Sequence, residues 1–386
     1  MKPCRVVIDA EKLRRINCGL GRFSQQLASG IVEQARGRIA PTLLLPSGGE
    51  RHFATQDCRV IRVRPWRKEF VRRWVRPIAT PLLGERHDLW HSTHQMSRYA
   101  PLDPRVPVLL TIHDLTFLHE APREGRSREI ERKLADTQRR IDRAAALAVD
   151  SRFVADDLRR ELDVAGKPIH VIPLGLDPTP EASPEPPEFL ATTAPFLLSV
   201  GNALPHKNFH VLLDLVDRLP GRRLVIAGNM QTPYGGHLRR EVSRRGLEDR
   251  VVLPGEVSDA DRQWLYEHCE AFLFPSLSEG FGLPVLEAMH AGRPVFASRL
   301  TSLPEIAGEH GFYFDSFAPD AMAAVLAHGL ACFAADPARA AACRVHARSF
   351  SWRETIRRYA DLYVQVAAAG DASRRARPGS RAGRGS

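Results

Sequence analysis

Cysteine is scarce and scattered, with six residues in 386 at Cys4, Cys18, Cys58, Cys269, Cys332 and Cys343. No CxxC pair and no histidine cluster accompanies them, which excludes a zinc site of ordinary spacing, and a reducing, cytosolic setting is the simplest expectation. Long apolar runs are missing too. No stretch is long enough to span a bilayer. The opening strand, Cys4-Arg5-Val6-Val7-Ile8-Asp9, has no long apolar core behind it, so a signal peptide is not expected and any membrane contact is peripheral, on the inner face of the cytoplasmic membrane. Acidic excess is absent as well: the formal net charge is +10. Such a chain favours acidic partners, but nucleic acid, anionic lipid and phosphorylated small molecules all satisfy that demand.

What is abundant is apolar sequence in alternation. At 44% hydrophobic, the chain is too long for one ordinary domain and rich enough for two cores. Short β-branched runs at Val6–Ile8, Thr42–Leu45, Val60–Ile61, Leu89–Trp90, Val108–Ile112 and Ala146–Val149 interleave with helical patterns, the first over 21–33. This is the pattern of a parallel sheet covered by helices on both faces, and it stops near Pro173. A Pro/Glu/Ala/Thr stretch over 178–195 reads as a linker. A second alternation then runs through Phe196–Val200, Arg223–Ala227, Val251–Leu253, Ala271–Pro275 and Pro294–Ala297. The sequence therefore predicts an α/β chain of two Rossmann-like parallel-sheet domains, 1–177 and 196–350, facing a central cleft. A C-terminal helix over 351–368 is expected to pack back toward the first domain, followed by a disordered basic tail over 369–386.

Several segments at predicted strand ends carry candidate chemistry. Ser278-Glu279-Gly280-Phe281-Gly282-Leu283-Pro284 follows an apolar strand, and Pro284 stands where a helix would begin. Such a loop offers free amides and the positive end of a helix dipole at the carboxyl edge of a parallel strand, which favours a bound phosphate. Gly280 and Gly282 would allow close backbone approach. Glu279 and Glu287 are suited to sugar and ribose hydroxyls, because one carboxylate accepts from two of them. Gly201-Asn202 and Pro205-His206-Lys207-Asn208 follow the first strand of the second sheet, where Lys207 can neutralise a departing diphosphate. In the first half, Gly19, Gly21 and Arg22 lie in a short Gly-x-Gly turn that is too short for a dinucleotide fingerprint. His113 and Asp114 follow a strand end, where the histidine can orient a hydroxyl or shield developing charge and Asp114 can fix its tautomer or bind a hydroxyl of the acceptor. For His91 and His94, structural or acceptor-pocket roles are favoured over metal binding. A basic segment from Arg62 to Arg76 spaces Trp66, Phe70 and Trp74 as on one helix face. It fits both an anionic membrane surface and packing on the first domain's core.

In this order, these segments resemble the retaining glycosyltransferases of family 4, which have the GT-B fold, and in particular bacterial mannosyltransferases. The likeness covers nearly the whole chain and is most specific from Glu279 to Glu287, two glutamates separated by seven residues. It implies a nucleotide-sugar donor held mainly by the second domain, a glycan or lipid-linked glycan acceptor on the first, no metal or other cofactor, and no nucleic-acid partner. By position, Glu279 would bind donor-sugar hydroxyls and Glu287 the ribose. Phe281, Gly282 and Leu283 would meet the donor through their backbone, Lys207 the diphosphate, Gly21 the same diphosphate from the other domain, and His113 the reacting carbon and the acceptor. Many members carry an arginine where this chain has Asn202, so the second phosphate-facing cation is sought at Arg22. Asp259-Ala260-Asp261 follows Ser258 at an apparent helix start, where acidic residues suit the dipole without a metal. A GDP-linked hexose used in bacterial surface-glycan synthesis is the first expectation. UDP-sugar transfer, a GT-B phosphorylase or disaccharide synthase, and a non-catalytic nucleotide-sugar binder are the alternatives.

Overall fold

The computed structural model describes residues 2–15, 19–49, 58–63, 87–97, 99–101, 103–119, 127–176, 182, 185–190 and 195–376. The linker over 178–195 lies partly outside them. Trp66, Phe70 and Trp74 lie wholly outside, as does the tail beyond 376.

The apolar runs assemble into two sheets. The first takes β1 (Cys4–Asp9), β2 (Ile39–Pro46), β3 (Arg59–Val63), β4 (Leu89–Ser92), β5 (Val108–Ile112), β6 (Ala146–Val149) and β7 (Ile169–Val171) in the order β3-β2-β1-β4-β5-β6-β7. The second takes β8 (Phe196–Val200), β9 (Arg223–Ala227), β10 (Val251–Gly255), β11 (Ala271–Phe274), β12 (Val295–Ser298) and β13 (Gly311–Phe314) in the order β10-β9-β8-β11-β12-β13. Every pairing is parallel. These are two Rossmann-like α/β sheets, each doubly wound: the chain steps outward from β1 or β8, then returns to start β4 or β11 on its other side. The topological switch points therefore fall between β1 and β4 and between β8 and β11, at whose carboxyl ends such sheets place ligands.

Central strands were readable because both their faces are covered: β5, β6, β11 and β12 are buried at every residue. β7 and β13 were not predicted. The first is three half-buried residues centred on His170, and the second is largely half-buried from Gly311 to Tyr313, so neither shows a continuous buried run.

The C-terminal helix, Trp352–Ala376, packs against the first helix, Gly19–Gln34, and against β1 and β4. Contact is close enough that a side chain at Gly30 would stand 2.5 Å from Ile356 Cγ1. Tyr359 and Tyr363 are fully buried on that face. This helix outruns the expected end at 368, and the tail was expected to be disordered from 369. Val366 and Ala367 are still buried, the intervening alanines favour helix, and Gly370 lies against Pro107, so the helix has a packing reason to continue. Among the described residues no single helix is long and apolar enough to cross a membrane.

Candidate active site

The second switch point is built around an ion pair. Lys207 Nζ donates to Glu279 Oε1 at 2.6 Å, each side chain keeping 13% of its surface exposed. Lys207 is delivered by a single 3₁₀ turn, Pro205–Lys207, closed by Asn208 in the left-handed conformation at φ 57°. Asn208 is buried, and its side-chain amide donates to Pro275 O at 3.2 Å, while Leu277 N donates to His206 O at 2.7 Å. The Pro-His-Lys-Asn turn is thus stapled to the glutamate loop at three points. Lys207 Nζ also lies 4.9 Å from the centroid of the Phe274 ring, and the side chain passes over Gly201, whose added Cβ would meet Lys207 Cε at 3.5 Å. Asn202, where an arginine is common, is exposed and accepts from Asn229 N at 3.4 Å.

The loop that carries Glu279 is held from behind by residues the sequence did not flag. Thr301, at φ 55°, accepts the Glu279 amide at 3.1 Å. Ser302 is buried, and its hydroxyl faces the carbonyls of Glu279 at 3.0 Å and Phe281 at 2.9 Å. A β-branched residue at positive φ is costly and leaves no trace in sequence pattern. Gly282 is the N-cap of the helix Leu283–His290 at φ 109°, ψ 47°, with no side chain capping it and Pro284 in the first turn. The dipole's positive end is therefore offered to a ligand without a protein carboxylate in the way. Phe281 turns its ring into the core against Phe350, centroids 5.9 Å apart, leaving only its backbone for the loop. Glu287 Oε2 accepts the buried Tyr266 hydroxyl at 2.7 Å, and burial followed by the Glu287 charge pushes the tyrosine well above its ordinary pKa, so that it stays the donor.

Two first-domain expectations, on the loop at Gly19 and Gly21 and on the pairing of Asp114 with His113, need correction, and Arg22 gains a partner. Gly19 and Gly21 belong to the first turn of the helix that begins at Gly19, not to a loop preceding a helix at 21. Arg22 is paired across the cleft with Asp259 of the second domain, at 2.6 Å. Asp259 also pairs with Arg262 at 2.8 Å, and Ser258 caps the helix Asp259–His268 by accepting from Asp261 N. Asp114 does not fix the tautomer of His113. Its Oδ1 accepts from Thr116 N, and its backbone carbonyl from Gln95.

Asp150, at the end of β6, takes that place. His113 is buried, with Nδ1 2.6 Å from Asp150 Oδ2 and Nε2 2.9 Å from the Thr93 carbonyl. A carbonyl can only accept, so Nε2 carries a proton, and the remaining proton lies on the Nδ1–Oδ2 line. Burial alone would lower the His113 pKa; the Asp150 charge and hydrogen bond, helped by the Thr93 carbonyl and Asp114, outweigh it and raise it. Both ring nitrogens are thus consumed, and the Phe23 edge, 4.5 Å between centroids, covers part of the ring. What His113 turns toward the second domain is its backbone. A side chain at Gly280 would stand 1.9 Å from the His113 carbonyl oxygen, and Gly280 O accepts the Ser151 hydroxyl at 2.7 Å. Gly280 is required by this approach of one domain to the other.

Comparisons with known proteins agree with this architecture. The model of Glycosyltransferase Family 4 matches residues 19–179, and that of Glycosyl transferases group 1 matches 185–341. The chain is 34% identical over 175 residues to O-antigen chain mannosyltransferase B of Escherichia coli, covering 44% of this chain and 45% of that one. It is 37% identical over 119 residues to the serotype-specific mannosyltransferase WbdA of the same organism, covering 29% and 15%. The chain thus spans less than half the length of both. Among solved structures, sucrose-phosphate synthase from Thermosynechococcus elongatus superposes with a TM-score of 0.68 at 20% identity, over 95% of this chain and 100% of that one. Anabaena HepE in complex with UDP and glucose gives 0.65 at 17%, over 94% and 100%. The chain belongs to glycosyltransferase family 4 and has the GT-B fold. Within it, the chain is similar to bacterial mannosyltransferases.

Proposed function

We propose that this protein transfers a hexose, with retention, from a nucleotide diphosphate sugar to a glycan acceptor. The observation that carries the reading is the Lys207–Glu279 pair, held at the second switch point beside an uncapped helix N-terminus. There a diphosphate finds the Lys207 ammonium and the Gly282–Leu283 backbone, while a sugar's hydroxyls find Glu279. Glu287, one oxygen held by Tyr266, offers the other to a ribose. The acceptor oxygen bonds to the anomeric carbon on the face from which the phosphate leaves, the carbon–phosphate oxygen bond breaks, and the departing phosphate takes the acceptor's proton. Lys207 stabilises the charge that develops on it. The protein needs no nucleophile for this, and in our reading no metal.

The donor is GDP-mannose or a GDP-deoxyhexose first, in keeping with the two mannosyltransferases, and a UDP-sugar second. The acceptor is a lipid-linked surface glycan, met at the cytoplasmic face of the membrane. His113, locked on both nitrogens, acts here as a positioning residue through its contact with Gly280. The test is incubation with a panel of GDP- and UDP-sugars, reading nucleoside diphosphate release and the mass and anomeric configuration of the product, with and without EDTA. Release from one donor class, insensitive to EDTA, with a retained anomer is expected; no release from any donor overturns the reading.

A further inference from the structure

His94 follows β4 at the first switch point, and its loop is over-determined. Thr93 Oγ1 donates to the Asp9 carbonyl at 2.5 Å, and the Ser97 hydroxyl donates to the Asp9 carboxylate. Ser97 N donates to the His94 carbonyl at 2.9 Å, Arg140 clamps the Ser97 carbonyl through Nε at 3.2 Å and Nη2 at 3.1 Å, and Gln95 donates to the Asp114 carbonyl at 2.8 Å. The imidazole at the centre of this loop is 7% exposed and stacks on that of His113, ring centroids 6.0 Å apart at 27°.

Its two nitrogens are not equivalent. Nδ1 lies 2.8 Å from the backbone N–H of Met96, and an amide can only donate, so Nδ1 must be the unprotonated acceptor. In a neutral ring the proton is then on Nε2. Burial, followed by the charges of His113, Lys12 and Arg140, holds the ring neutral by pushing its pKa well below the ordinary value. Among the described residues no group accepts from Nε2, and the atom is not fully enclosed, so it reaches the surface. A buried, rigid imidazole at a switch point thus keeps one N–H with no acceptor among the described residues, whereas His113 beside it has none to spare.

We propose that His94, and not His113, is the imidazole that meets the acceptor: its Nε2–H donates to a non-reacting hydroxyl of the acceptor sugar at the carboxyl edge of the first sheet. This rests on the transferase reading above. Donation to the reacting hydroxyl would weaken it as a nucleophile, so a neighbouring hydroxyl is the fitting partner, and the contact orients the sugar without entering the chemistry.

Two measurements on the full chain test it. In long-range proton–nitrogen spectra of histidine-labelled protein, assigned with His94→Gln, the neutral Nε2–H tautomer is expected at pH 7, and its signals shift on adding the alkyl α-hexosides of an acceptor panel that yield product. The Nδ1–H tautomer, or no shift with any panel member, overturns the inference. In initial-rate kinetics, His94→Ala raises the acceptor KM tenfold or more, out of proportion to the donor KM, and His94→Gln, which keeps an N–H near the Nε2 position, restores most of the loss. An acceptor KM within twofold of wild type, or equal rises in both KM values, overturns it. Nucleoside diphosphate release with water as acceptor shows separately whether the transferase reading stands.

Discussion

Replacing Gly280 by alanine adds one methyl group where the glutamate loop meets the backbone of His113. That methyl carbon would stand 1.9 Å from the His113 carbonyl oxygen and 2.9 Å from Asp114 Cβ. Neither neighbour is the far end of a flexible side chain. His113 is pinned through both ring nitrogens, and the loop is pinned by Thr301 and Ser302. The relief available is for the two domains to part by about 1 Å, and a displacement of that size at a reacting centre costs on the order of a hundredfold in rate. The Ser151 hydroxyl bond to Gly280 O lies in the same contact and lengthens with it. Because the strain falls between domains, each core stays packed, and the melting temperature should fall much less than the activity. The assay is initial-rate transfer beside thermal melting, for Gly280→Ala, Ser151→Ala and the double variant. We expect about a hundredfold loss for the glycine variant and a double variant little worse than it, since both act on one contact. A Gly280→Ala rate within twofold of wild type would refute the reasoning.

Tyr266→Phe removes the hydroxyl that holds Glu287 Oε2, leaving the carboxylate proposed to meet the ribose free to rotate; the donor KM is expected to rise severalfold with a smaller change in kcat, measured by initial rates over donor concentration. His91 is buried between the Tyr363 and Thr111 hydroxyls, at 2.7 and 2.8 Å, and burial, then the His113 charge, lowers its pKa to about 3. The unfolded chain protonates this residue near 6.5 and the folded one does not, so its contribution is fully present above about 6.5 and is lost as pH falls toward 3, by about 1.4 kcal/mol per pH unit. The stability advantage of wild type over His91→Gln in urea unfolding should therefore narrow steadily below pH 6.5. Asp9, raised to about 6 chiefly by burial, works in the opposite direction but is common to both proteins and cancels in the difference.

Most of the fold was legible because central strands of parallel sheets are apolar on both faces, as Val108–Ile112 and Ala271–Phe274 are. The strands missed, Ile169–Val171 and Gly311–Phe314, are only partly covered. Motif spacing led to Lys207, Glu279 and Glu287 because a turn, a loop and a helix start must follow strands at fixed offsets. It did not lead to what holds them. Thr301 acts through a left-handed backbone, Tyr266 from a different helix, and Asp150 from the end of the next strand, one crossover away, and none of these relations has a local signature. Adjacency suggested Asp114 as one possible partner of His113, beside a role in binding a hydroxyl. Neighbours along a chain leaving a strand diverge, and the next strand, β6, brings Asp150 to the ring instead. Gly280 was read as room for a phosphate, whereas its missing side chain makes room for the other domain.

The central claim is that the carboxyl edge of the second sheet holds the donor's diphosphate through Lys207. Calorimetric titration of GDP and UDP into wild type, Lys207→Ala and Glu279→Ala tests it without knowledge of the acceptor. The account predicts that one nucleotide binds wild type, that Lys207→Ala weakens it at least tenfold, about 1.4 kcal/mol, and that Glu279→Ala, which releases the lysine from its ion pair, does not weaken it. Equal nucleotide affinity in wild type and Lys207→Ala would contradict it.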